Sequence, residues 1–470
     1  MRVERVGVVG AGSMGAGIAQ ISCLGGFETF LHDPVTDALE AGTGRLRDAL
    51  DKGAERGRWT TEDAAGAEGR LRVSPALEDL AGCDLVVEAA PEDLGLKREL
   101  FGRLAETCAP EAILATNTSS LPVTAIAASL PSAKRVVGMH FFNPPAAMKL
   151  VEVVAGEESG EEALAATEEA ARQMGRVPIR AADAIGFVAN RCARPYTLEA
   201  LRLLGSGVAG HEAIDRICRI GGGFRMGPFE LTDLVGVDVN FEVAKSFWEQ
   251  SFHEPRWQPH PIQARMVAAG RLGRKTGRGY YDYGDGPHRS DDPVQPSPPR
   301  GRGDPGTTDR AGGAEEAQFV ALEQGSLAAL ARGADAVGYL ALPDLESARL
   351  VELTRGPATS GASAAAAEAR LRAVGKHVEW VGDAPGLVLG RILAQLVNEA
   401  HFTLGAGIAS REDIDTAMRL GFNYPRGPFE WCDAIGAARV VGILDALHRE
   451  LGEERYRVAP ALRRAAAAAA

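Results

Sequence analysis

"RVGVVGAGSMGAGIAQISCLGGFETFLHD", residues 5–33, decides the fold. It opens on a β-branched run, Val6 to Val9, which reads as a buried strand. Gly10, Gly12 and Gly15 follow as GxGxxG, and "AGIAQISCLGG" then has helical spacing with a glycine stop. A second strand, "ETFLHD", ends in Asp33. Each part has a physical task. Gly10 permits the tight turn, Gly12 lets the backbone approach a pyrophosphate, and Gly15 lets the helix pack close to the strand. The helix N-terminus offers unpaired N–H groups and a favourable dipole to the phosphates. Asp33 is placed to accept hydrogen bonds from ribose hydroxyls and would repel a 2′-phosphate, which predicts NAD rather than NADP.

Further strand–helix units extend outward from this one. "CDLVVEAAPEDLGLKRELF" (83–101) and "AILATNTSSLPVTAIA" (112–127) each read as a strand, a polar turn and a helix, and "RVVGMHFFNPP" (135–145) adds another strand. Such alternation predicts a Rossmann-like, doubly wound parallel α/β sheet. Ligands of these sheets bind outside the carboxyl ends of the strands. Glu92, Asn117, Ser119 and His140 each close or follow a strand, so they are expected around one crevice. A histidine in an apolar strand is often a core residue, but at a strand end beside a cofactor loop it suits a proton acceptor.

The remaining composition narrows the possibilities. A chain of 470 residues calls for two or more domains. The formal net charge of −12 argues against a nucleic-acid partner. No apolar run approaches the roughly 20 residues that span a bilayer. "MRVERVGVVG" enters a strand directly, without a signal peptide, and a cytoplasmic location is expected. The six cysteines are scattered with no CxxC pair, so neither a disulfide framework nor a metal site is expected.

Taken together, "GAGSMG", "ATNTSSL", "GMHFFNPP", "MKLVEVV", "GFVANR", "GPFELTDLVGVD" and "GRKTGRGYYDY" make residues 1–283 resemble the 3-hydroxyacyl-CoA dehydrogenases, 3-hydroxybutyryl-CoA dehydrogenases included. The resemblance implies NAD-dependent oxidation of a short-chain L-3-hydroxyacyl-CoA, such as 3-hydroxybutyryl-CoA, to the 3-ketoacyl-CoA. It implies that His140 is the base and Glu152 its carboxylate partner, with Ser119 and Asn190 holding the reacting oxygen. Asn143 is similar to a further active-site asparagine, and Glu92 and Lys97 match positions that touch the nicotinamide half of NAD. Imidazole ordinarily titrates near 6.5, close to the optimum for a base at neutral pH. A carboxylate on the other ring nitrogen fixes the tautomer and stabilises the imidazolium. For the coenzyme A phosphates the resemblance points to the helix "GRLRDALDKGAERGRW" (44–59), with Arg56 and Lys52 as the expected contacts.

The expected order is a nucleotide-binding domain (1–183), a helical substrate and dimerisation domain (184–283), and a Gly/Pro-rich flexible linker (284–316). A degenerate segment (317–382), a second helical domain (383–456) and a low-complexity tail (457–470) follow. Residues 383–436 repeat residues 183–236 at a constant offset of 200, with 22 identities in 54 positions. In that register Glu152 falls on Glu352, but His140 falls on Leu340, Asn143 on Pro343 and Asn190 on Gly390. The second copy is therefore expected to be non-catalytic, pairing with the first inside one chain as other members pair between chains; a homodimer is the alternative. Two other functions compete: a dehydrogenase of a hydroxy acid without coenzyme A, and a non-catalytic NAD-binding protein. The second requires loss of His140, Glu152 and Asn190, which are all present.

Overall fold

A computed structural model describes residues 2–128, 130–294 and 318–468. The chain divides into two units, Met1–Arg191 with Ala406–Phe422, and Cys192–Gly405 with Asn423–Ala470.

The first unit is built on an eight-stranded sheet: β1 (Arg5–Val9), β2 (Glu28–His32), β3 (Leu71–Ser74), β4 (Leu85–Glu88), β5 (Ile113–Thr116), β6 (Val136–Phe141), β7 (Leu150–Ala155) and β8 (Val177–Ala182). The order is β3-β2-β1-β4-β5-β6-β7-β8, with helices such as Ser13–Leu24 crossing between parallel strands. Val6, Val8, Leu85, Val87, Ile113 and Val137 are all buried in its core, as strands covered on both faces require. One feature departs from the expected all-parallel sheet: β7 runs antiparallel to β6, and β8 follows β7 in parallel. Residues 142–149 are too few for a crossover, which needs a dozen or more, so the chain reverses as a hairpin. That reversal sets His140 directly opposite Glu152.

The segment 406–422 was expected inside the second helical domain, yet it belongs to the first unit. Its helix, Arg411–Gly421, starts at Ser410, whose hydroxyl accepts the Asp413 N–H. Ile414, Ala417, Met418 and Gly421 form its buried face, which lies on β7 and β8. Ala182 donates its N–H to the Ile408 carbonyl at 2.8 Å.

The second unit holds both remaining helical copies and a four-stranded sheet, β9 (Gln318–Ala321), β10 (Ala336–Leu340), β11 (Leu350–Arg355) and β12 (His377–Trp380), in the order β12-β11-β10-β9. β10 and β11 form an antiparallel pair flanked by parallel ones, the same pattern as β5 to β8. Residues 318–382 thus keep the last half of a nucleotide-binding sheet and lack the half that carries the glycine loop. The two long helices, Ala189–Gly205 and Leu389–Gly405, are joined within this unit by a buried Arg391–Glu199 ion pair, with the Tyr456 hydroxyl donating to Glu199 at 2.7 Å.

Two expected segments differ. The start of the linker, residues 284–294, is docked on the body: Arg219 donates to Asp292 at 2.6 Å, Arg289 to Glu230 at 2.5 Å, and His288 stacks on Tyr283. Residues 295–316 lie outside the described residues. The tail is a helix, Pro460–Ala468, anchored by the buried Leu462. Alanine has the highest helix propensity, and one leucine supplies the apolar contact that its neighbours lack.

Glu352, on β11, lies buried in the second copy. Burial pushes its carboxyl up to about 8, against the opposing pull of the Val388 and Leu389 N–H groups. An unfolded glutamate titrates near about 4.3, so the folded chain binds this proton more tightly. The resulting stabilisation is complete below that value and is lost as pH rises through about 8. Glu352→Gln removes the titration. Across pH 5–8 the stability difference should move toward the variant, by up to about 1.4 kcal/mol per pH unit. Unfolding midpoints that stay parallel over this range would overturn the assignment.

Candidate active site

The glycine loop has the shape its sequence requires. Gly10 has φ +100°, and a Cβ there would lie 2.6 Å from the Ala89 carbonyl oxygen. A Cβ on Gly15 would lie 1.7 Å from the Gly10 oxygen, so helix and turn could not close on any larger residue. Around Gly12 a Cβ would meet nothing within 4 Å. This open space at the start of the helix Ser13–Leu24 is what a pyrophosphate needs. A cleft of about 640 Å³ runs from Gly10 and Gly12 past Asp33 to Ala89 and Pro91. Asp33 accepts the Ala11 N–H at 2.9 Å and the Val35 N–H at 3.0 Å, which aims its carboxylate at the cleft. The loop, cleft and acidic residue fit a dinucleotide.

Behind the loop lies a buried charge cluster. Glu88, at the end of β4, is fully buried and accepts from Lys97 Nζ at 2.6 Å, Thr116 Oγ1 at 2.7 Å and the Ala90 N–H at 2.7 Å. Lys97 also donates to the Ala90 carbonyl at 3.3 Å and lies 3.4 Å from Glu92. Glu92 gathers the next turn, accepting from Thr118 Oγ1 at 2.7 Å, Ser120 Oγ at 2.9 Å and the N–H groups of Ser119 and Ser120, each at 3.0 Å. Burial pushes the Glu92 carboxyl up, but these hydrogen bonds and the Lys97 charge outweigh it, leaving it below the usual range. Lys97 is 1% exposed, so its protons reach protein oxygens. Its ammonium sits beneath Ala90 and Glu92. Ser119 is exposed at the top of the turn.

His140 and Glu152 meet as the sequence suggested. Nδ1 lies 2.7 Å from Glu152 Oε2. Glu152 Oε1 accepts the N–H groups of Val188 and Ala189 at 3.0 and 2.9 Å. These donors stand at the N-terminal end of the helix Ala189–Gly205, where a carboxylate is favoured. Both oxygens are therefore engaged and the carboxylate cannot turn away. The His140 ring lies 4.7 Å from Phe142 and 5.7 Å from Phe187. Asn190, half-buried, follows Ala189 in the same first helical turn. Asn117 uses its side-chain oxygen to accept the Phe141 N–H at 2.8 Å, tying the end of β5 to that of β6 rather than presenting that oxygen to a ligand. Asn143 is exposed on the loop after β6. Lys52 and Arg56 are also exposed, Lys52 beside Asp48 at 3.7 Å. Arg45, from the same helix, reaches the Ala11 carbonyl at 2.6 Å and braces the glycine loop.

The second copy shows what this site looks like without its chemistry. Glu352 still accepts the Val388 and Leu389 N–H groups, at 2.7 and 3.0 Å. Leu340 replaces the histidine, and a Cβ on Gly390 would lie 2.6 Å from Leu340 Cδ2. The leucine takes the space of the missing side chain, so the histidine and asparagine counterparts are lost together. Glu88, Phe142 and Phe187 were not anticipated. A glutamate inside the buried run "LVVE" was the available signal for Glu88.

Comparison with known proteins is consistent across the chain. A sequence model of the 3-hydroxyacyl-CoA dehydrogenase NAD binding domain matches residues 5–184, and one of the C-terminal domain of the same family matches twice, at 186–283 and 386–470. The 3-hydroxyadipyl-CoA dehydrogenase of Escherichia coli (strain K12) is 38% identical over 472 residues, covering 99% of this chain and 98% of its own. The 3-hydroxybutyryl-CoA dehydrogenase of Mycobacterium tuberculosis (strain ATCC 25618 / H37Rv) is 41% identical over 283 residues, which is 60% of this chain and 99% of that one. Among solved structures, 3-hydroxybutyryl-CoA dehydrogenase from Escherichia coli K12 superposes with a TM-score of 0.92 at 37% identity, covering 100% of this chain and 99% of that one.

Proposed function

The chain belongs to the 3-hydroxyacyl-CoA dehydrogenase family of NAD-dependent enzymes, and from that premise we propose that it oxidises a short-chain L-3-hydroxyacyl-CoA with His140 as base. The observation that carries this reading is the His140–Glu152 contact at 2.7 Å. With Nδ1 donating to Glu152, Nε2 is left as the acceptor for the substrate hydroxyl proton. Glu152, held by two backbone N–H groups, keeps the ring in place and stabilises the imidazolium. Ser119 and Asn190 orient the reacting oxygen, and Asn143 borders the site. NAD, when bound, accepts the hydride from the carbinol carbon. Gly10, Gly12, Gly15, Asp33 and Glu92 hold it, and Asn117 and Lys97 shape the turns that face it. Lys52 and Arg56 supply cations for the coenzyme A phosphates.

A second reading, a 3-hydroxyadipyl thioester as substrate, is favoured by one observation: the relative of that name covers 98% of its length with this chain. The buried Arg391–Glu199 pair between the two helical copies supports a pseudo-dimer within one chain. The test is NADH formation across 3-hydroxybutyryl-CoA, 3-hydroxyhexanoyl-CoA, 3-hydroxyadipyl-CoA and free 3-hydroxybutyrate, with NADP as control. Turnover of the butyryl and hexanoyl thioesters with NAD is expected. Preference for the adipyl thioester would establish the second reading. Turnover of the free acid alone would overturn both.

A further inference from the structure

We infer that Phe422, supplied by the second copy, is a positioning residue that holds the His140 ring through Phe142. This rests on the reading of His140 as the base. The helix Arg411–Gly421 packs on β7, the strand that carries Glu152, and on β8, and Phe422 is its C-cap. Its ring lies 6.4 Å from Phe142 at an interplanar angle of 76°, an edge-on contact. Phe142 lies in turn 4.7 Å from His140. Such edge-to-face pairs have a preferred geometry, so they transmit orientation as well as fill space. The approach is close: a Cβ on Gly421 would lie 2.8 Å from Leu150 Cδ2 and 3.5 Å from Phe142 Cε1. Gly421 lets the helix end reach the site, and Phe422 is the first side chain past it.

The repeat provides an internal control. In the second unit the matching segment of the first copy, Ile217–Gly221, lies against β11, the strand that carries Glu352. The exchange of segments is therefore reciprocal, but only one arm ends at a histidine. Beside Glu152 stand His140, Phe142 and Phe422. In the register of 200, the corresponding residues at Glu352 are Leu340, Leu342 and Gly222. Where the base is absent, both aromatic residues of the relay are absent too. Packing of the exchanged segment on its strand does not need them, because the second arm packs without them. The aromatic pair accompanies the imidazole.

The test uses the full chain, NAD and a thioester that the wild type oxidises. Phe422→Leu preserves apolar volume and Phe422→Tyr preserves the ring. A reacting group displaced by about 1 Å can cost about 100-fold in rate, and a loosened ring should cost less. The expected fall in kcat for Phe422→Leu is about 5- to 10-fold, with KM for NAD unchanged and Phe422→Tyr close to wild type. Wild-type kcat in Phe422→Leu, or a fall in kcat matched by a rise in KM for NAD, would overturn the proposal. His140→Gln is measured in parallel. If that variant keeps its turnover, the base assignment fails; if it is inactive while Phe422→Leu is fully active, only the relay fails.

Discussion

His140→Gln lowers turnover by about 10²–10⁴-fold, the worth of a well-placed general base. Glutamine preserves a polar side chain of similar reach, but it cannot accept the substrate proton and become a cation stabilised by Glu152. Oε2 of Glu152 loses its Nδ1 partner at 2.7 Å, while Oε1 keeps its two backbone donors. The helix start at Ala189 therefore stays anchored and the fold survives. The glycine loop and Asp33 share no hydrogen bond with this pair, so NAD affinity is expected to be unchanged. Titration with NAD together with single-turnover kinetics separates the two quantities. Turnover within severalfold of wild type would remove His140 from the chemistry.

Lys97→Met has the largest expected effect on stability. Lys97 and Glu88 form an ion pair at 2.6 Å with side-chain exposures of 1% and 0%. Removing one member of such a pair leaves an uncompensated buried charge, at a cost of about 3–5 kcal/mol. Thr116 and the Ala90 N–H still donate to Glu88, which places the loss toward the lower end. The double variant Glu88→Gln with Lys97→Met removes both charges and should recover much of the lost stability. Urea unfolding followed by a probe in the first unit measures the difference. A single variant as stable as the wild type would show that the pair is not needed to hold β4 to the helix Leu94–Thr107.

Much of the site was legible because its determinants are local. GxGxxG followed by a strand-terminal Asp33 is a short-range pattern, and its backbone consequences at Gly10 and Gly15 appear where the spacing puts them. His140 and Glu152 are 12 residues apart, a separation that a hairpin converts into direct opposition. The hairpin itself was hidden because "FFNPPAAMK" marks a turn without telling whether the next strand pairs back on the last or crosses over. The burial of Lys97 was hidden for a related reason. "LGLKREL" shows three charged residues in succession, and only the buried Glu88, nine residues earlier, decides which one turns inward. The apolar face of Arg411–Gly421 announced a buried helix but not its neighbour. Amphipathic spacing reports that a face is covered and says nothing about what covers it. The tail shows the same limit, since "ALRRAAAAAA" permits a helix while the burial of Leu462 depends on surfaces far away in sequence.

The assignment of residues 406–422 to the first unit also bears on how the protein is made. During synthesis, domains usually fold as they emerge, the N-terminal one first. Here the catalytic half cannot be completed in that order, because β7 and β8 wait for a helix that comes after the whole first helical copy and the second sheet. Until then the faces of these strands, with Leu150 and Phe142, stay open to solvent or to whatever holds a nascent chain. Contacts of such long sequence separation slow folding. A nascent chain that has passed residue 190 but not yet reached residue 406 carries every side chain assigned to the site and lacks the piece that closes around them.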